Sequence, residues 1–471
     1  MFQYKDISPL YTDLYQLTMA QAYFLGARHE QPVSFDYFFR KIPFNGGFVV
    51  FAGLEELLKM LQQLRFSDKD LEYLHTQHFD DSFLEYLKDF RFEGSIYGMR
   101  EGEIVFPFEP ILRVDATMIE AQLIETLLLN VINFQSLIAT KACRIRNSAG
   151  ERVLSEFGLR RAQSFGGIQG SRAAIIGGFN NTSNVFSGQF YDIPVSGTMA
   201  HSFIESFDDE LDAFRHYAQT FPDTCVLLVD TYNTLKSGIP NAITIAHELE
   251  QKGHRMVGLR LDSGDLAYLS KRARKMLDDN GLHYVKIVVS NQLDEHVIKS
   301  LLDQHAPIDI FGVGTSMIIG KPDGAIDGVY KLCQANGVPR LKISDNVQKI
   351  TLPGKKRVLR YCDADGLFYA DCIVTDDENQ PERMIHPFEK DKFLSLQGKQ
   401  YEEVFFCLMK NGKPTEAFQT PFEIQQRVKE RIKKLPEEHQ RFDFPHIYKV
   451  GISEKISDLR KNYISKYQQF N

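Results

Sequence analysis

The chain has 471 residues, 43% of them hydrophobic and 25% charged, a make-up that fits a globular protein and excludes disordered, collagen-like and coiled-coil classes. This length exceeds what a single core usually holds and implies about two or three domains. With 62 acidic against 55 basic side chains the formal charge is -7, so no global field draws the chain onto nucleic acid or an anionic membrane, and any anion site has to be local.

In chain order, residues 1–138 form a mixed α/β segment rich in aromatics, with amphipathic helices such as "LEELLKMLQQL". The start, "MFQYKDISPLYTDLYQ", lacks the basic and apolar runs of a signal peptide. "LIETLLLNVINF" (Leu123 to Phe134) is the most apolar stretch, but it is too short to span a bilayer and carries Glu125, so a buried helix is expected. Six cysteines (Cys143, Cys225, Cys333, Cys362, Cys372 and Cys407) are far apart, with no CxxC pair and no zinc-type spacing. Reduced thiols, and with them a cytoplasmic location, are expected.

Residues 139–352 have a different texture. "CVLLVD", "MVGLRLD", "VKIVVSN" and "IDIFGVG" alternate with the helical stretches "AITIAHELEQKG", "LAYLSKRARKMLDDNG" and "LDEHVIKSLLDQH". The strand ends Asp230, Arg260, Ser290 and Gly314 are 30, 30 and 24 residues apart, the rhythm of parallel βα units and of a barrel. From 353 to 471 the chain reads as a further region, with "GKQYEEVFF" and a basic helix, "IQQRVKERIKKLPEEHQRF", whose charges suit a solvated face.

In parallel βα architectures chemistry collects where strands meet the following loops. Those positions here are "EFGLRR" (Glu156 to Arg161), "GGFNNTSNV", "SGTMAHS", "VDTYNT", "RLDSGD", "VVSNQ" and "GVGTSMI". Gly312, Gly314, Thr315 and Ser316 would offer backbone N–H groups beside hydroxyls, as a phosphate-binding turn does. "RLDSGD" places Arg260 before Asp262, Ser263 and Asp265. Either Ser263 or Asp262 caps the next helix, or the carboxylates face a sugar hydroxyl or magnesium while Arg260 faces an anion. Together they imply a phosphorylated, magnesium-bound sugar. His201, alone at the junction in "VSGTMAHSFIESF", would by itself be an unremarkable helix-end residue.

Taken in order, "YTDLYQLTMAQAY", "EFGLRRAQS", "GTMAHSFI", "VDTYNTL", "LRLDSGDL" and "GVGTSMI" resemble the nicotinate phosphoribosyltransferase family, from Tyr11 to Ile318. The resemblance implies the irregular (β/α) barrel of type II phosphoribosyltransferases, with a second α/β domain built from both chain ends. It implies transfer of ribose 5-phosphate from phosphoribosyl pyrophosphate to nicotinate, giving nicotinate mononucleotide and pyrophosphate in NAD biosynthesis. ATP as co-substrate, Mg, and a homodimer with its sites at the interface are implied as well.

The same resemblance implies residue roles. His201 would be the residue that ATP phosphorylates. Tyr15, supplied by the partner chain, would stack on the pyridine ring opposite Phe157; the bland alternative for Tyr15 is a core position on a helix capped by Asp13 and Gln16. Asp230 and Asp262 would hold ribose hydroxyls or magnesium, with Asp265 a further metal candidate. Arg160 and Arg260 would hold anionic groups, and Gly312, Gly314 and Thr315 the 5-phosphate. Thr182, Ser183 and Ser263 complete the substrate contacts. The nicotinamide-using sister enzymes resemble this stretch but carry an aspartate where Ser183 stands, which implies preference for nicotinate here.

Two rivals are weighed against this. A phosphosugar isomerase or aldolase would need a lysine or glutamate at a strand end as Schiff base or proton shuttle, and the ring supplies none in that role. A non-catalytic relative is opposed by intact His201, Asp262 and Gly314.

Overall fold

The computed structural model describes residues 7–344, 349–389 and 391–468. The chain divides into two compact units, one of Met1–Leu137 with Ala325–Asn471 and one of Ile138–Gly324. Residues 325–352 therefore group with the chain ends and not with the middle region, 139–352, expected from the sequence. The reason is strand pairing: Gly328–Ala335 lies antiparallel to Pro32–Phe39, with Tyr37 opposite Tyr330.

In the first unit a seven-stranded sheet mixes strands from both chain ends: Pro32–Phe39 pairs with Leu112–Thr117, and Ser95–Gly98 with Phe406–Lys410. Alternation in "PVSFDYFF" sends Val33, Phe35, Tyr37 and Phe39 into the core, where they meet helix residues such as Leu57, Leu61 and Phe83. A second sheet of six strands is built on Lys356–Cys362 and Phe368–Thr375. The apolar stretch at Leu123 breaks at Ile124, after which one long helix, Glu125–Ala149, runs on.

The second unit is built on a six-stranded sheet in which every pairing is parallel. Its order is Asn181–Thr182, Val153–Glu156, Ile310–Val313, Lys286–Ser290, Gly258–Leu261, Val226–Leu228. Strands buried on both faces read as continuous apolar runs, as "CVLLV" and "KIVVS" do. The helices between them are amphipathic; Leu266–Asp279 buries Ala267, Ser270, Ala273 and Leu277 at three- and four-residue spacing. Among the described residues no closed barrel forms, because Asn181–Thr182 and Val226–Leu228 do not pair with each other. Asn181–Thr182 is only two residues long; Asn184 then caps the helix Val185–Tyr191, and Thr182 makes one isolated parallel bridge to Val195.

Parallel alignment brings all the strand C-termini to one edge, and with them Glu156, Ser183, Asp230, Asp262, Ser290 and Gly314.

Candidate active site

His201 opens the short helix His201–Glu205, and its side chain is 37% exposed. Its Nε2 lies 3.3 Å from Oδ1 of Asp230, whose side chain is fully buried. The other oxygen of Asp230 accepts from the Asp262 backbone N–H at 2.8 Å and from the Ser263 hydroxyl at 2.6 Å. Both oxygens of Asp230 thus engage protein groups. Because a carboxylate only accepts, the shared proton is assigned to Nε2, which leaves the imidazole lone pair on Nδ1.

Beside this, Arg260 spreads its guanidinium over three segments. Its Nε donates to Ser290 Oγ at 2.9 Å, one terminal nitrogen donates to Thr198 Oγ1 at 3.0 Å and the Met199 carbonyl at 3.3 Å, and the other donates to Asp262 Oδ1 at 3.0 Å. Ser290 also donates to Asp262 Oδ1. A planar fork with five donors is the side chain that can hold so many partners in one geometry, and lysine could not. Asp265 is the N-cap of the helix Leu266–Asp279, its Oδ1 accepting from the Tyr268 N–H at 2.9 Å. The cap is therefore Asp265, while Ser263 and Asp262 turn toward the strand ends. Among the described residues no group of three His, Cys, Asp or Glu side chains converges as a metal site.

The Phe157 ring lies 5.9 Å from the Arg260 guanidinium carbon and against Gly312. A Cβ at residue 312 would stand 2.5 Å from Phe157 Cε2 and 2.6 Å from Cδ2. Gly312 sits inside its strand, opposite Ser290 on one side and Ser155 on the other. Its place in the sequence motif is explained by room for the ring. Gly314 and Thr315 follow at the strand end, where Thr315 is exposed and begins the turn Thr315–Ile318. A Cβ on Gly314 would meet the Phe157 carbonyl at 2.9 Å.

Thr182 is fully buried. Its hydroxyl lies 2.5 Å from Glu156 Oε2 and accepts from the Asn184 N–H at 3.0 Å, so it faces the protein interior and not the edge. Ser183, next to it, is half-buried, and its N–H donates to the Glu156 carbonyl at 2.9 Å. Arg160 is exposed in the turn Leu159–Arg161.

Tyr15 belongs to the first unit, on the helix Leu14–Leu25, and is 49% exposed. The cap expected there is absent: the Asp13 carboxylate accepts from Thr126 Oγ1 at 3.0 Å, and Gln16 is buried against Gln122. Burial, with the carboxylates of Glu125 and Asp13 behind it, raises the Tyr15 phenol above its ordinary value.

Sequence reasoning passed over three residues that organise this edge: Glu156, Ser290 and Thr198. Each stands within one of the strand-end motifs, but it takes strand register to bring Ser290 to Asp262, and the path of the loop before His201 to bring Thr198 to Arg260. Asn291 and Gln292, directly after Ser290, adopt left-handed backbone with φ of 84° and 47°. Two such residues in succession cost on the order of 1 kcal/mol or more each, strain of the kind that gathers at functional edges.

Three family profiles match the chain. The nicotinate phosphoribosyltransferase N-terminal domain covers residues 10–133, the nicotinate phosphoribosyltransferase family residues 153–392, and the C-terminal domain of the same enzyme residues 355–460. Among curated relatives, nicotinate phosphoribosyltransferase of Bacillus subtilis is 45% identical over 472 residues, covering 96% of this chain and 94% of the relative. The Dictyostelium discoideum enzyme of that name is 37% identical, over 97% and 88% of the two chains. The crystal structure of human nicotinic acid phosphoribosyltransferase superposes with a TM-score of 0.87 at 31% identity, covering 96% of this chain and 99% of that one. No helix among the described residues is long and apolar enough to cross a membrane. Full-length identity, fold and the matching profiles agree: the chain belongs to the nicotinate phosphoribosyltransferase family.

Proposed function

We propose that the chain transfers ribose 5-phosphate from phosphoribosyl pyrophosphate to the ring nitrogen of nicotinate, releasing pyrophosphate, as a cytoplasmic step of NAD biosynthesis coupled to ATP hydrolysis. The observation that carries this is the pairing of His201 Nε2 with Asp230, which leaves Nδ1 as a nucleophile. In the coupled step Nδ1 attacks the γ-phosphorus of ATP, the bond to the β-phosphate oxygen breaks and ADP leaves. Hydrolysis of the phosphoryl-imidazole later returns His201.

The transfer itself breaks the bond between the anomeric carbon and pyrophosphate through an oxocarbenium-like state, and nicotinate already owns the lone pair it needs. The protein's task is to position and to stabilise the leaving group. Arg260 and Asp262, locked together with Ser290, are suited to the pyrophosphate and ribose end. Gly314 and Thr315 are suited to the 5-phosphate, with Gly312 acting through the Phe157 ring. Phe157 forms one wall for the pyridine, and Arg160 and Ser183 suit its carboxylate. Magnesium enters as part of the pyrophosphate substrate, since Asp265 is committed to a helix cap and Asp262 to Arg260.

A homodimer completes this reading, with Tyr15 of a second chain as the other wall; the half-exposed ring of Tyr15 supports it. The strand order supports an irregular barrel left open between Asn181–Thr182 and Val226–Leu228.

The deciding experiment is a product assay with phosphoribosyl pyrophosphate and magnesium, offering nicotinate or nicotinamide, with and without ATP. Nicotinate mononucleotide formed from nicotinate and stimulated by ATP is expected. Preference for nicotinamide, or no pyridine nucleotide at all, would overturn the assignment.

A further inference from the structure

Glu156 ends the strand Val153–Glu156 with a carboxylate that has no exposure to solvent, and among the described residues it makes no ion pair. Its partners are neutral and come from three separate segments. Oε2 lies 2.5 Å from the Thr182 hydroxyl and accepts from the Ser171 hydroxyl at 2.9 Å, and Oε1 accepts from the Gly158 N–H. Its backbone carbonyl takes the Ser183 N–H at 2.9 Å. Burial pushes the carboxyl above its ordinary value, and the bonds from Thr182, Gly158 and Ser171 pull it back.

The network continues outward from these partners. Thr182 Oγ1 accepts from the Asn184 N–H at 3.0 Å, and the Asn184 side chain donates to Ser171 Oγ at 3.3 Å and to the Gly167 carbonyl at 3.2 Å. One residue therefore fixes the turn that carries Phe157 and Gly158, the helix Gly166–Ile176, and the segment Thr182–Asn184. A buried carboxylate without a cation is a costly joint, and apolar packing would hold segments together at lower cost. What the carboxylate adds is direction: each of its donors, from Gly158, Ser171 and Thr182, is held to one point.

We infer that Glu156 is a positioning residue for the pyridine end of the substrate, setting Phe157–Gly158 against Thr182–Ser183. The inference rests on the proposed function and deepens it. Glu156 touches neither substrate nor reacting atoms; it acts through Phe157 and Ser183.

The test compares KM for nicotinate with KM for phosphoribosyl pyrophosphate in Glu156→Ala, Glu156→Gln and Thr182→Val. Displacing a wall by a fraction of an ångström should raise KM for nicotinate by about tenfold or more in Glu156→Ala. KM for phosphoribosyl pyrophosphate should change several-fold less, because the hydrogen bonds that hold Arg260 and Asp262 include none of the partners of Glu156. Glutamine keeps an oxygen for the Gly158 N–H and offers an amide to the Thr182 and Ser171 hydroxyls, so Glu156→Gln should recover most of the loss. If Glu156→Ala does not fold, Thr182→Val, which has nearly the same shape and lacks one link, should show the same split in smaller measure. Two KM values that rise together, a nicotinate KM that does not move, or a glutamine variant as impaired as alanine would each overturn the inference. Wild-type protein that makes no nicotinate mononucleotide would overturn the parent reading and this one together, whereas active wild-type protein with an unchanged KM ratio would overturn this one alone.

Discussion

His201 and Asp230 are joined at 3.3 Å across two segments of the second unit, and the far oxygen of Asp230 is held by Asp262 and Ser263. The carboxylate therefore cannot rotate away without giving up two other bonds, and the imidazole is held in one orientation.

His201→Ala should abolish stimulation by ATP and leave some ATP-independent transfer at high phosphoribosyl pyrophosphate. In Asp230→Asn the oxygen must remain with Asp262 and Ser263, which turns the amide NH2 toward His201 and demands the opposite tautomer. Phosphorylation of the imidazole should then fall by at least about tenfold. Nicotinate mononucleotide formed with and without ATP checks the first effect, and acid-labile phosphate on protein incubated with ATP the second. Wild-type levels in the asparagine variant would show that Asp230 does not set the tautomer.

Gly312→Ala should push the Phe157 ring out of place, since the new Cβ would stand 2.5 Å from it. Overpacking of this kind costs about 1–3 kcal/mol, and a nicotinate KM raised by about tenfold, with a lower Tm, is the expected reading. A variant with unchanged KM and Tm would mean that the ring moves freely and that its contact with residue 312 is incidental.

Ser183→Asp should impair use of nicotinate. Two like charges about 4 Å apart at an effective dielectric near 20 repel by roughly 4 kcal/mol, and allowing for screening the loss in kcat/KM should be at least about tenfold. Comparison of nicotinate and nicotinamide in both proteins checks it. If the preference is the same before and after, selection of the substrate lies with Arg160 or another group.

The fourth prediction concerns stability of the first unit. Glu109 is fully buried, and burial together with the nearby Asp371 carboxylate holds its carboxyl well above the ordinary value of 4.5. Asp371 itself stays paired with Arg360 at 2.9 Å and receives the Tyr448 hydroxyl at 3.0 Å. A group whose folded-state pKa is raised lends stability that is complete below its unfolded value and is lost as pH rises through the folded one. Glu109→Gln keeps an acceptor for the Phe106 N–H, which Oε1 now takes at 2.8 Å, and has no proton to lose. Tm should therefore fall less between acid and neutral to alkaline pH in the variant than in wild type. An equal or steeper fall in the variant would place the titration elsewhere.

Much of the second unit was legible in the sequence because βα units announce themselves locally. Apolar runs ending in Asp230, Arg260, Ser290 and Gly314, separated by amphipathic helices, correspond to the observed strands. Loop residues at those ends, His201 and Asp262 among them, could be picked out one by one. Their pairings could not. That Asp230 faces His201, that Ser290 bonds Asp262 and that Gly312 makes room for Phe157 depend on the packing of segments whose residues lie 28 to 155 positions apart, a relationship no local pattern encodes.

The same distinction explains the corrections. Asp265 and not Ser263 caps its helix because the Ser263 hydroxyl finds a buried carboxylate on a neighbouring strand end. Thr182 points inward because Glu156 offers it a buried acceptor. The boundary at Gly324 follows from Gly328–Ala335 pairing with a strand nearly 300 residues earlier in the chain. Sequence alone determined the periodicity, the family and the kinds of side chain at the strand ends, since these rest on local spacing and residue chemistry. Tertiary structure decided which donor meets which acceptor, since a buried polar group binds whatever partner the packing of distant segments brings within about 3 Å.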